Sequence, residues 1–570
     1  MIICGIKLTH DAGVALIEDG RLRFSVEMEK LDGNPRYASL DHLSRVSQVL
    51  ADFGYDLTDV DQFVVDGWHP NHLLHVTPDG QVIDGSSPAG ARLLQERPAA
   101  RRLALAGYRH DDLMTRSAGR TLGIDYASYC HYAGHVVGGY VTSPFARVGQ
   151  SCYVMCWDGA MVPMLYHVDA ASRSVRQVAQ LSTLVGMAYF TLAATQPPFE
   201  GPVPFPQSLG LSGKIMAYVA CGTPRPEIVS SIEAIHREAL VVAYGHTSPS
   251  LAEQDETSFH MLMAHMRSAI SGFTDAVDPD DMIAAIHSYL GEHVRQALLT
   301  AVDADGHVSR TIALVGGCAL NIKWNRAVRE SPAFDDVWVP PFPNDSGSAI
   351  GAASCELLRT RAWLDWDVYA GPELGSGVLS QGWTRRECPL DKLALLLHND
   401  GQPVVYLQGR AEVGPRALGH RSILAPATDP QMKDVLNALK GRETYRPIAP
   451  ICLADAATKV FDPGSPDPHM LFDHVVRAEW RPRVPAICHL DGTARVQTVS
   501  APEEPDLFAL LTAYERLSGI PLLCNTSAND HGRGFFPDVA SAMRWGRIPR
   551  IWSSGWLWEL DGSAVRPGNG

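Results

Sequence analysis

Short apolar runs, each closed by a glycine or aspartate turn and then followed by a helical pattern, recur along this chain. That alternation restricts it to an α/β fold. "TIALVGGCALN" passes from a buried strand through a glycine pair to a helix start, and "SCYVMCWDGA" is a buried strand ending at Asp158-Gly159. The opening "IICGIKLTHDAGVALIEDGRLRFSVEMEK" reads as three strands, the last two joined by an Asp-Gly turn. The pattern predicts a helix and then the strand "QFVVDGW" over 40–66, an irregular stretch over 70–120, and a helix from His131 to about Tyr140. Residues 185–300 read as mainly helical. No internal repeat is evident. Composition shifts near "YAGPELGSGVLSQGW", residues 369–383, which reads as an inter-domain linker.

At 570 residues the chain is long enough for roughly three or four domain-sized units. No apolar run approaches the ~20 residues that cross a bilayer, and the start lacks the basic and cleavage features of a secretory signal. Eleven cysteines are scattered without CxxC spacing, so a reducing cytoplasm is the expected location. Net charge is −15, which argues against a non-specific grip on nucleic acid. Between Gly409 and Arg446, however, seven Lys/Arg stand against four acids, which points to a small anionic substrate.

Taken singly, the chemistry-bearing residues keep two readings. His131 and His135 are four apart, so on a helix both imidazoles lie on one face and can reach one cation; taken alone, the commoner reading is two packed or capped histidines. Asp158 is either a hairpin turn residue or a carboxylate at the lip of a sheet. Asp345 in "PFPNDSGSAIGAA" is placed to N-cap the small-residue helix, or to hold a metal near phosphates. Gly316 and Gly317 make a tight turn, or let a backbone approach a ligand. His10 and Asp11 lie in a β-turn, where an imidazole is also suited to general-base work. Arg416 and Arg446, on Pro-flanked backbone, suit bidentate clamping of phosphate or carboxylate.

In combination these stretches are specific. "HDAGVALIEDG", "HYAGH", "WDG", "VGGCALNIKWN", "PFPNDSGSAIGAA", "EVGPRALGHRSILAP", "LKGRETYRPIAP", "DGTARVQTV" and "CNTSAND" resemble, in order, the ATP-dependent O-carbamoyltransferases that act on antibiotics and nodulation factors. The opening looks closer to the cephamycin-type branch than to the aminoglycoside branch. The resemblance implies an actin/hexokinase-like (ASKHA) ATPase-type domain over 1–370, a linker over 371–385 and a YrdC-like α/β domain over 386–570. It implies that the second domain joins carbamoyl phosphate with ATP, bound with Mg(2+), into carbamoyl-adenylate. The first then passes the carbamoyl group to an alcohol.

Position by position, it implies His131, His135, Asp158 and Asp345 as metal ligands, for Fe(2+) or for manganese or zinc in its place. It implies His10 as general base, with Asp11 beside it. Gly316, Gly317 and Asn321 match the nucleotide loop. Arg416, Lys440, Arg446, Arg495, Asn525 and Ser527 match the carbamoyl phosphate and ATP site. Cys318 replaces the usual third glycine, and Ala528 departs from the usual phenylalanine. A kinase or ATPase of the same fold, a tRNA threonylcarbamoyl-modifying enzyme and an actin-like assembly protein are the alternatives. The expected partner is a small-molecule alcohol, a polyketide, macrolide or sugar-bearing natural product, with no nucleic acid and no membrane. A homodimer is a candidate assembly.

Overall fold

The computed structural model describes residues 1–67, 73–109, 112–273 and 277–561. Strands β1 (Ile2–Lys7), β2 (Gly13–Glu18), β3 (Arg21–Glu27), β4 (Gln62–Asp66) and β5 (Ile124–Tyr129) stand in the order β3-β2-β1-β4-β5, with Ser117–Thr121 at the edge beside β5. β1, β4 and β5 are parallel, while β2 runs antiparallel to both β1 and β3. The β2–β3 turn carries Asp19 and Gly20 at φ 51° and 79°, the left-handed pair that a two-residue hairpin turn needs.

A second sheet repeats this order. Strands β6 (Cys152–Cys156), β7 (Met164–Asp169), β8 (Ser174–Gln180), β9 (Thr311–Val315) and β10 (Asp336–Trp338) pair as β8-β7-β6-β9-β10, with the same pattern of directions. The chain is therefore duplicated in topology although no sequence repeat shows, which is the architecture that the actin/hexokinase-like reading requires.

Helix α1 (His131–Val141) follows β5. The long helices α2 (Pro226–Tyr244), α3 (Glu256–Ser271) and α4 (Pro279–Ala304) fill the span between β8 and β9, and α5 (Ser348–Leu358) follows β10. Glycines do not break α1, because they are where α5 and Val315 of β9 approach it closely. A Cβ on Gly351 would stand 2.3 Å from the Gly134 carbonyl oxygen, and one on Gly138 would stand 3.0 Å from the Gly351 Cα. Every residue of α1 is buried. The 70–120 stretch, expected to be irregular, holds a small sheet (Leu74–Val76, Val82–Asp84, Arg101–Arg102) and a helix, Pro88–Glu96, capped by Ser87. Strands of two or three residues are too short to show a period in sequence.

The C-terminal part has its own core, drawn from residues between Cys388 and Trp558. Its strands are β11 (Trp383–Glu387), β12 (Val404–Leu407), β13 (Arg421–Ala425), β14 (Ala449–Leu453), β15 (Gln497–Val499), β16 (Leu522–Ser527), β17 (Arg550–Ser553) and β18 (Trp556–Leu560). They form a mixed sheet in the order β11-β18-β17-β12-β13-β16-β14-β15, and helix α6 (Met432–Leu439) follows β13.

The two parts are stitched together. Glu27 accepts from Lys30 Nζ at 2.8 Å and from the Gly414 amide at 2.7 Å, and Lys30 also donates to the Gly414 carbonyl. Pro35 bridges Arg533, and the Arg36 amide donates to the Gly532 carbonyl. Of the predicted linker, Gly371 and Leu374 bond back to Ala411 and Gly409, while residues 375–379 are exposed. Among the described residues no helix is long and apolar enough to cross a membrane, and all eleven cysteines are free.

Candidate active site

β1, α1 and the turns after β6 and β10 converge on one buried cluster. His131 Nε2 and His135 Nε2 lie 3.1 Å apart. Asp345 Oδ1 lies 3.1 Å from the first and 3.4 Å from the second, and Asp158 Oδ1 lies 4.0 Å from His135 Nε2. One donor atom from each of the four residues falls within 4.8 Å of every other. Two imidazole nitrogens and two carboxylate oxygens aimed at one point form a donor set that suits iron(II), manganese(II) or zinc. Asp345 lies in the turn before α5 but caps no helix, because its carboxylate faces this cluster.

Residues outside the expected set hold it in place. Asp66, at the end of β4, sits 2.8 Å from His131 Nδ1 and so orients the ring. Lys7, at the end of β1, stands 3.1 Å from Asp66 and 3.0 Å from Asp345. Burial lowers the proton affinity of His131, but Asp66 and Asp345 outweigh it and bring the imidazole up to about 9. A metal binding here would displace that proton.

His10 Nε2 lies 3.6 Å from Asp345 Oδ2, at the rim of the cluster, and its Nδ1 lies 3.2 Å from Asp11. Asp11 therefore reads as the group that orients His10. Gly316 takes φ 87°, and a Cβ there would meet the Trp157 carbonyl oxygen at 2.3 Å. The Gly317 amide donates to Asp158 Oδ1 at 2.5 Å, so this glycine turn fixes a carboxylate of the cluster. Asn321 caps the helix Ile322–Arg329, and its Nδ2 is buried without a partner. Cys318, in the third glycine position, lies against Gly186.

The second cluster belongs to the C-terminal sheet. Arg442, Arg446 and Arg495 lie close enough to Arg416 that each lowers its proton affinity, and Arg36 reaches the same group from the N-terminal part. Burial first, then like charge, pushes Arg442 down to about 9 and Arg495 to about 10. The groups remain cationic at neutral pH, and their mutual repulsion marks a site made for an anion. The Nε atoms of Arg416 and Arg495 are buried without partners. Arg442 Nη1 lies 3.2 Å from Thr526 Oγ1 and Nη2 3.4 Å from Ser527 Oγ. Arg416 Nη2 reaches the Leu320 carbonyl at 3.4 Å, so the arginine cluster borders the glycine turn of the first site.

Two expected roles shift. Lys440 Nζ donates to the carbonyls of Ser527 and Asn529 and to Asn529 Oδ1, which uses its three protons to fix the Ser527–Asn529 loop. Asn525 Nδ2 is bonded to Ala417 and Gln497, leaving its Oδ1 unpartnered. Within the basic segment, Arg410 and Arg421 are spent on backbone carbonyls and take no part in the cluster. Sequence reasoning missed Lys7, Asp66 and Arg36 and left Arg442 without a role. A lysine and an aspartate closing otherwise apolar strands were the available signals.

A topologically duplicated α/β module carrying a buried His/Asp cluster with the donor set of a metal site, joined to a module with a cluster of buried arginines, defines a two-module α/β protein with two buried charged sites. Comparison with known proteins gives the family. The carbamoyltransferase N-terminus model matches residues 2–354 and the carbamoyltransferase C-terminus model residues 395–547. The chain belongs to the carbamoyltransferase family. It is 43% identical to nodulation protein U of Rhizobium tropici over 98% of this chain and 96% of that one. It is 30% identical to 3'-hydroxymethylcephem-O-carbamoyltransferase of Streptomyces clavuligerus over 96% of each. Identity is thus higher to the nodulation protein than to the cephamycin-type enzyme. The dehydratase activator of Clostridium difficile aligns at TM-score 0.33 and 13% identity, over 63% of this chain and 96% of that one.

Proposed function

We propose that this carbamoyltransferase is an O-carbamoyltransferase working in two stages at these two sites. The C-terminal module, read as YrdC-like from residue 386, binds carbamoyl phosphate and ATP among Arg416, Arg442, Arg446, Arg495 and Ser527. Their product is carbamoyl-adenylate; pyrophosphate leaves, and one water is consumed as phosphate is released. In the N-terminal module, residues 1–370, the acceptor oxygen bonds to the carbamoyl carbon as the bond to the adenylate breaks and AMP leaves, and His10 takes the proton of the acceptor hydroxyl. His131, His135, Asp158 and Asp345 would hold the metal, iron(II) in the first instance, which supplies Lewis-acid polarisation of an oxygen.

The observation that carries this reading is Arg416 reaching Leu320. It joins the anion site to the turn that fixes Asp158, which supports a short transfer of a labile mixed anhydride between modules. The acceptor is a small-molecule alcohol. Purified protein given carbamoyl phosphate and ATP is expected to release pyrophosphate, and mass spectrometry should show an acceptor gaining one carbamoyl unit. Release of ADP in place of pyrophosphate would instead identify a kinase or ATPase.

A further inference from the structure

Among the exposed apolar residues, one stands directly against chemistry-bearing machinery. Phe205 is 62% exposed, yet its ring meets His10 edge-on, at 5.2 Å between centroids and 76° between planes. Val203, two residues before it, is 41% exposed. The segment "EGPVPFP" places Pro202, Pro204 and Pro206 at alternate positions, which fixes the backbone φ at each and restricts the residue before each. Two apolar side chains are thereby presented with little entropy left to lose on binding. Downstream, Ser208 and Leu211 are buried, and a Cβ on Gly210 would lie 3.3 Å from the Tyr37 hydroxyl, so the segment is anchored at its C-terminal end.

We propose that Phe205 is the specificity platform for the acceptor, lying under the face of a neutral saturated ring that bears the reacting hydroxyl. The proposal rests on the reading of His10 as the group that takes the acceptor proton. A base must approach that hydroxyl to about 3 Å. The atoms attached to the hydroxyl carbon then lie next to His10, against which the largely exposed Phe205 ring packs. A pyranose or alicycle presents a sheet of C–H bonds that packs on an aromatic face. Val203 and Phe205 offer apolar surface for C–H bonds and no carboxylate to pair with an ammonium group.

The test is a competition in one reaction, with full-length protein, ATP and carbamoyl phosphate. Methyl β-D-glucopyranoside and propan-1-ol serve as acceptors, and the product ratio is read by mass spectrometry. The ratio cancels any change in the first stage. The wild-type protein is expected to prefer the ring. Phe205→Ala should cut that preference about tenfold through KM for the glucoside, and Phe205→Trp should keep it. Equal loss for both alcohols, an unchanged ratio, or no preference in the wild type overturns the platform. Saturation-transfer NMR of the glucoside on wild type and Phe205→Ala reads the same contact without turnover. Should pyrophosphate release fail while the NMR signal depends on Phe205, the two-stage reading falls and the platform stands.

Discussion

Asp66 lies 2.8 Å from His131 Nδ1, and this contact turns the opposite ring nitrogen toward His135. Carboxylates placed behind a ligating histidine fix its tautomer and raise its basicity. Asp66→Asn should therefore weaken metal binding about 10- to 100-fold without altering the ligands themselves, as measured by metal content after dialysis against graded chelator.

His135→Ala and Asp158→Asn each remove a donor from the cluster. Metal is expected to be lost and carbamoyl transfer with it, while pyrophosphate release from ATP and carbamoyl phosphate continues. Separate assays of the two stages check this. Because His131 is protonated up to about 9 without metal, loading should also strengthen as pH rises from 6 to 9.

Five guanidiniums crowd one site, so an anion there relieves repulsion and stabilises the fold. Pyrophosphate at about 100 times its Kd should add about 2.7 kcal/mol, seen as a rise in Tm. Arg442→Ala and Arg36→Ala should each reduce that shift. An Arg36 effect would show that the N-terminal part contributes to a site built on the C-terminal sheet.

Burial holds the Glu27 carboxyl up at about 7, against the pull of Lys30. Unfolded, it ionises near 4.5. The folded chain thus keeps a proton that the unfolded chain has released. This contribution to stability is full below about pH 4.5 and lost as pH climbs to about 7. Thermal melts should show wild type losing ground to Glu27→Gln over that window.

Gly351→Ala would press a methyl into the Gly134 carbonyl across the α1–α5 crossing. Overpacking of this kind costs about 1–3 kcal/mol, which equilibrium denaturation should register.

Local chemistry was legible in the sequence. The Asp19-Gly20 hairpin, the strand–glycine–helix passage at Val315–Asn321 and the shared face of His131 and His135 each depend on neighbours a few residues apart. What brings Lys7 to Asp345, or Arg36 to Arg416, is pairing between strands and loops hundreds of residues apart, and no spacing encodes it. Asp345 shows the difference: locally it reads as a helix cap, and only the tertiary fold turns its carboxylate to the histidines. The doubled sheet order was hidden because the two halves share pairing directions and not residues.

The stitching of residues 27–36 to 412–414 and 532–534 has a consequence for how this chain is made. A segment that emerges early from the ribosome must wait for one made 384 residues later before the Lys30 ammonium finds the Gly414 carbonyl. Such long-delayed closure slows assembly and leaves a half-finished molecule exposed to wrong association. A fragment cut after residue 370 would carry that buried cation with no carbonyls to receive it, and co-production of the two halves should restore solubility that neither achieves alone.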